Sequence, residues 1–204
     1  MLDWIVDTMN TYGVYGIFFL ILIENLFPPI PSELILTFGG FLTTIDNSSL
    51  SYLKVVVSST LGSLVGALIL YKIGTFLNVG VLKKFLRDKR VRMLGFKEDE
   101  LKRTLSFFNK WRGPAVFFGR LVPVIRSLIS IPAGMTNMKL STFTLYTFAG
   151  SLIWNAILTY VGIVLGENWE MITVYTDRYS YAVWAVIIVI VFVLLFKKVL
   201  SRKK

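Results

Sequence analysis

The sequence predicts an all-α integral membrane protein: an inverted repeat of two re-entrant helical hairpins, each followed by a transmembrane helix, with a further transmembrane helix at the C-terminal end. Three observations carry this expectation. The 204-residue chain is 55% hydrophobic with a mean hydropathy of +0.68, above the usual apolar share of soluble domains. Several apolar runs approach the roughly 20 residues that cross a bilayer. Two of these runs, residues 14–42 and 115–135, are interrupted by proline and carry paired ionisable groups, Glu24 and Glu33 in the first, Arg120 and Arg126 in the second.

Composition narrows the chemistry. Cysteine and histidine are both absent, which removes disulfides, thiol nucleophiles, imidazole metal sites and His-based acid/base catalysis. No cofactor or metal is expected, and the chain is not read as an enzyme. The net charge of +10 is distributed as membrane topology demands, not as a nucleic-acid footprint. No Lys or Arg precedes Lys54, and the basic residues gather over 83–112 and in the tail 197–204. By the positive-inside rule both clusters face the cytoplasm, where they can also bind anionic headgroups. The first ten residues lack a basic n-region and a small-residue cleavage site, so no removable signal peptide is expected.

Length and parity place the elements in order, as one domain over residues 1–204. Repeat 1 spans about residues 1–79 and opens with the 14–42 hairpin, which enters from outside and turns through Phe27-Pro28-Pro29-Ile30-Pro31. Residues 55–73 then run inward to a basic cytoplasmic linker over about 80–100. Repeat 2, about 101–167, begins with an amphipathic interfacial stretch over 101–111 and continues into the 115–135 hairpin, turning between Pro123 and Pro132. Were that segment to cross fully, the acidic loop and basic tail that follow would exchange sides against the positive-inside rule. Residues 140–165 run outward to a loop over 167–180 bearing Glu167, Glu170 and Asp177 against one Arg178. A C-terminal helix over about 180–198 returns inward, with Trp169, Tyr175, Tyr179, Tyr181 and Trp184 at the outer boundary. Non-helical backbone at membrane depth survives only when buried in protein or facing water, so the two hairpin tips should meet.

An internal repeat supports this placement. Asn10-Thr11-Tyr12 followed by Ile17-Phe18-Phe19 resembles Asn109-Lys110-Trp111 followed by Val116-Phe117-Phe118. Gly62-Ser63-Leu64-Val65 resembles Gly150-Ser151-Leu152-Ile153. Copies that enter from opposite sides form an inverted-topology repeat, whose interface near the midplane is the expected binding site.

Charges at that depth are costly unless paired or beside water, and so mark a substrate or ion path. On one unbroken helix Arg120 and Arg126 would point about 120° apart. Pro123 breaks the helix between them, so that they can converge across a turn. The glutamates sit on opposite limbs of the first hairpin. Ser32 either caps the helix that follows Pro31 or contributes a ligand, and Gly134 permits close backbone approach. Two guanidiniums beside broken-helix N-termini make an anion receptor suited to phosphate. The bland alternative is scaffolding, in which the arginines only bridge to Glu24 and Glu33. Gly62, Gly66 and Gly150 serve close helix packing or a homodimer face, and Asn155 either bonds a neighbouring helix or lines a cavity.

The segments Glu24-Asn25-Leu26-Phe27-Pro28-Pro29-Ile30-Pro31-Ser32-Glu33 and Phe118-Gly119-Arg120-Leu121-Val122-Pro123-Val124-Ile125-Arg126, with Pro132-Ala133-Gly134-Met135 and Met138 downstream, resemble the DedA family of bacterial membrane proteins, also called SNARE-associated or VTT-domain proteins. The resemblance covers essentially the whole chain. It implies a lipid transporter of the bacterial cytoplasmic membrane, multi-pass with a cytoplasmic C-terminus, that moves undecaprenyl phosphate or phosphatidylethanolamine. It also implies functional roles for Glu24, Glu33, Arg120 and Arg126. Some members have Pro-Gly-Asp where this chain has Pro31-Ser32-Glu33, which leaves the lipid open. Two arginines without a dedicated ammonium site favour the monophosphate, with the glutamates pairing to the arginines or carrying protons. A proton- or cation-coupled antiporter that needs no lipid is the alternative from another class.

Overall fold

The computed structural model describes residues 3–27, 32–46, 48–77, 98–123 and 125–166, and every element among them is helical. The expected turn at Pro28, Pro29 and Pro31, the linker over 80–97, the acidic loop, the C-terminal helix and the basic tail lie outside the described residues. The described residues form seven helices in order: α1 Asp3–Leu26, α2 Ser32–Leu42, α3 Tyr52–Phe76, α4 Glu98–Arg120, α5 Ile125–Leu128, α6 Ser130–Met135 and α7 Leu140–Leu165.

Among the described residues, three stretches are long and apolar enough to cross a membrane: Asp7–Leu26, Tyr52–Phe76 and Leu140–Leu165. The last two contain the spans expected over 55–73 and 140–165. Helix α3 starts at Ser51, whose hydroxyl accepts from the Lys54 backbone N–H and so satisfies one of the free donors of the first turn. One stripe of α3 (Leu53, Val57, Leu61, Val65, Ile69 and Ile73) is exposed, as a lipid-facing stripe would be. The opposite face buries Ser59, Ser63, Ala67 and Tyr71 against the rest of the chain.

Both lead-in helices are kinked at corresponding places. Helix α1 leaves helical geometry at Gly13 (φ 51°, ψ −121°) and α4 at Arg112 (φ 8°, ψ −86°), in each case the residue after the matched Asn10-Thr11-Tyr12 and Asn109-Lys110-Trp111. At Gly13 the positive φ is one that glycine adopts without steric cost. In α4 the kink immediately precedes Gly113 and Pro114, and Pro114 cannot supply the backbone donor that a continuous helix needs.

The helices cross through glycines, again in matched pairs. A β-carbon on Gly62 of α3 would strike the Phe18 carbonyl of α1, and one on Gly150 of α7 would strike Phe117 and Arg120 of α4. Likewise Gly40 of α2 and Gly162 of α7 rest on each other's helix backbone, as do Gly134 of α6 and Gly74 of α3. Each long span therefore packs on a lead-in helix of its own half and a short limb of the other. Close approach lets dispersion contacts hold the helices together where lipid supplies no hydrophobic force. Gly62, Gly66 and Gly150 thus meet helices of the same chain.

Two apolar clusters fill the remaining space. Ile17, Ile21, Ile35 and Val55 belong to one; Ala67, Val116, Ala133 and Phe143 belong to the other. Tyr71 anchors the second, stacking on Phe143 at 4.7 Å between ring centres and donating its hydroxyl proton to the Met138 carbonyl. Met138 follows Asn137, whose φ of 48° turns the chain from α6 into α7. Asn tolerates that left-handed conformation better than most residues.

Candidate functional site

Four polar segments converge in the interior: the end of α1, the break after α4, α5 and the start of α6. Helix α4 stops at Arg120, and α5 begins at Ile125. Pro123 occupies the gap, as the sequence requires, and the turn is closed by Leu121 N–H to Phe118 O at 3.0 Å and Arg126 N–H to Val122 O at 3.0 Å. Pro132, expected in the turn itself, lies instead in the first turn of α6, where its missing N–H has no intrahelical partner to lose.

The two arginines are almost completely buried, 1% and 3% exposed, and so is Glu24 at 4%. Their environments differ. Arg126 Nη2 donates to Glu24 Oε2 at 3.0 Å, a direct ion pair. Arg120 has no carboxylate partner among the described residues. Its Nη1 donates to Asn25 Oδ1 at 3.1 Å and its Nη2 to Ser130 Oγ at 2.7 Å. Asn25 joins the two halves of the cluster, for its amide also donates to Glu24 Oε2 at 3.4 Å and to the Ile21 carbonyl at 3.2 Å. Ser127 donates to the other carboxylate oxygen, Glu24 Oε1, at 3.4 Å. Arg120 Nε and Arg126 Nη1 are buried and make no hydrogen bond among the described residues.

Glu33 stands apart from the arginines. It is half-buried in the first turn of α2 and forms no ion pair among the described residues. Ser32 is buried at the first position of α2. Gly134 makes the close backbone approach that its type suggested, to Tyr71 and Gly74 of α3. Asn155 donates to Thr60 Oγ1 at 3.3 Å and Ser63 Oγ at 3.4 Å, the interhelical bond of the two readings open from sequence.

Three contributors escaped the sequence reading: Asn25, Ser127 and Ser130. The available signal was their position, since each is a small polar residue in an apolar run within a few residues of a charge, where an unpartnered hydroxyl or amide would be costly.

Chemically, the cluster holds two cations against one directly paired anion, with two guanidinium nitrogens uncommitted among the described residues. Such a site can receive an anion and can shift charge by exchanging partners. No metal-binding group of His, Cys, Asp or Glu occurs among the described residues.

A buried charge cluster among helices long and apolar enough to cross a membrane marks the class, an integral membrane protein. The particular family follows from comparison: the VTT domain matches residues 30–164, and the chain belongs to the VTT-domain, or DedA, family. It is 46% identical over 194 residues to an alkaline phosphatase-like protein of Lactococcus lactis, covering 95% of this chain and 89% of that one. It is 36% identical over 200 residues to undecaprenyl phosphate transporter A of Staphylococcus aureus, covering 98% and 97%. Protein DedA of Escherichia coli is 28% identical over 166 residues, covering 78% and 73%. No solved structure matches the chain. The chain is thus a bacterial membrane protein of a family some of whose members carry transporter names.

Proposed function

We propose that the protein carries a lipid-linked phosphate across the cytoplasmic membrane, with undecaprenyl phosphate the foremost substrate. The observation that carries this reading is the imbalance between the buried arginines: Arg126 has a carboxylate at 3.0 Å, while Arg120 has only an amide and a hydroxyl. A buried cation without a counter-charge costs several kcal/mol, and an arriving phosphate supplies the missing anion. Guanidinium forks match phosphate oxygens in geometry, and Arg120 Nε and Arg126 Nη1 are the donors left to meet them. The transporter name of the Staphylococcus aureus relative points to the same chemistry.

In this mechanism the phosphate binds Arg120 first, then draws Arg126 from Glu24. The freed carboxylate is then open to a proton, which couples passage to protons; Glu33 is the second acidic group on that route. Ser32 flanks Glu33 at the head of α2, and Gly134 acts by letting α6 close on α3, which fixes Ser130 and hence Arg120. We further read the two halves, about 1–79 and 101–167, as inverted repeats with re-entrant hairpins and the basic tail in the cytoplasm. The matched kinks at Gly13 and Arg112 and the matched glycine crossings support that reading.

The test is transport of undecaprenyl phosphate in proteoliposomes by the full chain, with phosphatidylethanolamine as competitor. Transport should collapse in Arg120→Ala, Arg126→Ala and Glu24→Gln proteins that still elute as folded species. Movement of phosphatidylethanolamine alone would change the substrate. A cation flux driven by a proton gradient, with neither lipid moving, would replace this reading with an antiporter.

A further inference from the structure

A cavity of about 550 Å³ lies at the Gly13 kink, bounded by α1, the loop after α2 and the first turn of α3. Its polar lining includes Asn10, Thr11, Asp46, Ser48, Ser49 and Lys54. An apolar groove of about 410 Å³ runs between α1 and α3, walled by Phe18, Leu53, Val57 and Leu61. Val14, Tyr15 and Lys54 line both, so cavity and groove adjoin, with the lysine at their junction.

Lys54 is the first basic residue of the chain, and the next is Lys72 at the far end of the same helix. Its ammonium group donates to the Ser49 carbonyl at 2.7 Å, which leaves further donors on a group that carries three. Depth follows from helix geometry. Lys54 lies in the first turn of the span Tyr52–Phe76, and Leu61 lies about 10 Å further along the axis at 1.5 Å per residue. The polar cavity is therefore at the membrane surface and the groove within the hydrocarbon. A phosphate ester that joins a headgroup to an apolar chain has its charge at the corresponding place.

We infer that Lys54, the cavity at the Gly13 kink and the groove between α1 and α3 form a receiving site for a lipid whose phosphate sits at Lys54 and whose chain lies in the groove. The site deepens the transport reading, and rests on it for the lipid's fate, as the station at which the headgroup docks before it reaches Arg120. Phospholipids and polyprenyl monophosphates share the chemistry it recognises.

The full chain in phosphatidylcholine nanodiscs is photolabelled with a polyprenyl monophosphate that carries a diazirine on its chain, and adducts are mapped by mass spectrometry. Adducts are expected on residues 15–18 and 53–61. Their yield should fall about fivefold in Lys54→Ala, recover in Lys54→Arg and stay unchanged in Lys72→Ala, since one interfacial lysine contributes about that factor. Competition by unlabelled polyprenyl monophosphate or by phosphatidate tells which lipid the site prefers, and either supports it. Equal labelling by an uncharged polyprenol probe, or unchanged yield in folded Lys54→Ala or Lys54→Gln protein, would reduce the groove to ordinary lipid contact and overturn the inference. Lys54-dependent labelling in a protein that moves no lipid counts against the transport reading and not against this site.

Discussion

The ion pair between Glu24 and Arg126 lends itself to a double-mutant cycle. Both partners are buried, the nitrogen and oxygen are 3.0 Å apart, and Ser127 and Asn25 donate to the same carboxylate. In Glu24→Gln a near-isosteric neutral amide replaces the anion, and both guanidiniums are left without a counter-charge. Removing one partner of such a pair costs about 3–5 kcal/mol. For a chain of this length that is a fall in Tm of roughly 6–20 °C, read by thermal unfolding in detergent. Arg126→Gln strands the carboxylate and should cost a similar amount. Combining the two removes both charges, so the double variant should lie at least about 2 kcal/mol above the sum of the singles. Arg120→Gln is the contrast. It forfeits hydrogen bonds to Asn25 and Ser130 but also withdraws an uncompensated charge, so its Tm should fall less than that of Arg126→Gln. Additivity of Glu24→Gln and Arg126→Gln to within about 0.5 kcal/mol would refute the pairing.

Asn25→Asp places a carboxylate where Arg120 Nη1 now meets an amide oxygen at 3.1 Å, so binding of a polyprenyl phosphate, measured by native mass spectrometry, should weaken at least about tenfold while the protein stays folded. Gly162→Ala drives a methyl group into the Thr37 carbonyl and must part α2 from α7, with an expected loss of several kcal/mol or of folded protein in size-exclusion profiles. Tyr71→Phe keeps the stack on Phe143 but leaves the Met138 carbonyl without its donor, at a cost of about 1–3 kcal/mol in thermal melts.

What could be read from the sequence was what local chemistry dictates. The spans Tyr52–Phe76 and Leu140–Leu165 announce themselves by length and hydropathy, and Pro123 had to break the helix between Arg120 and Arg126 because it has no N–H to give. The pairing scheme was not accessible in the same way. Glu24 and Glu33 carry equal signals in sequence, yet among the described residues Glu24 alone of the two reaches an arginine, a choice made by how α1 meets α5. Asn25 left no periodic trace, since a single amide beside a glutamate looks the same whether it faces lipid or a guanidinium. The crossings of Gly40 with Gly162 and of Gly74 with Gly134 join residues far apart in the chain, and no local pattern distinguishes them from other small residues.

The matched crossings also explain how like packing comes to surround an asymmetric site. Where α3 crosses α1, Gly62 lies beside the Phe18 carbonyl and Ile21; where α7 crosses α4, Gly150 lies beside the Phe117 carbonyl and Arg120. Ile21 and Arg120 therefore hold like places in the two crossings, three residues beyond like phenylalanines. A glycine is required at both because the backbones touch, and that requirement is indifferent to what the neighbouring side chain carries. In the first crossing that side chain is apolar and joins the core with Ile17 and Leu20. In the second it is a guanidinium pointed at Asn25 and Ser130. Packing is thus shared between the halves while charge is not: the carboxylate comes from α1 and the cations from α4 and α5. An Ile21→Arg exchange would place a third buried cation one turn from Glu24, whose carboxylate already pairs with Arg126 at 3.0 Å, so three cations would share one anion. Restoring symmetry in this way should therefore destroy the fold, whereas Ile21→Leu should be tolerated to within about 1.5 kcal/mol, and thermal melts of the two variants separate shared packing from unshared charge.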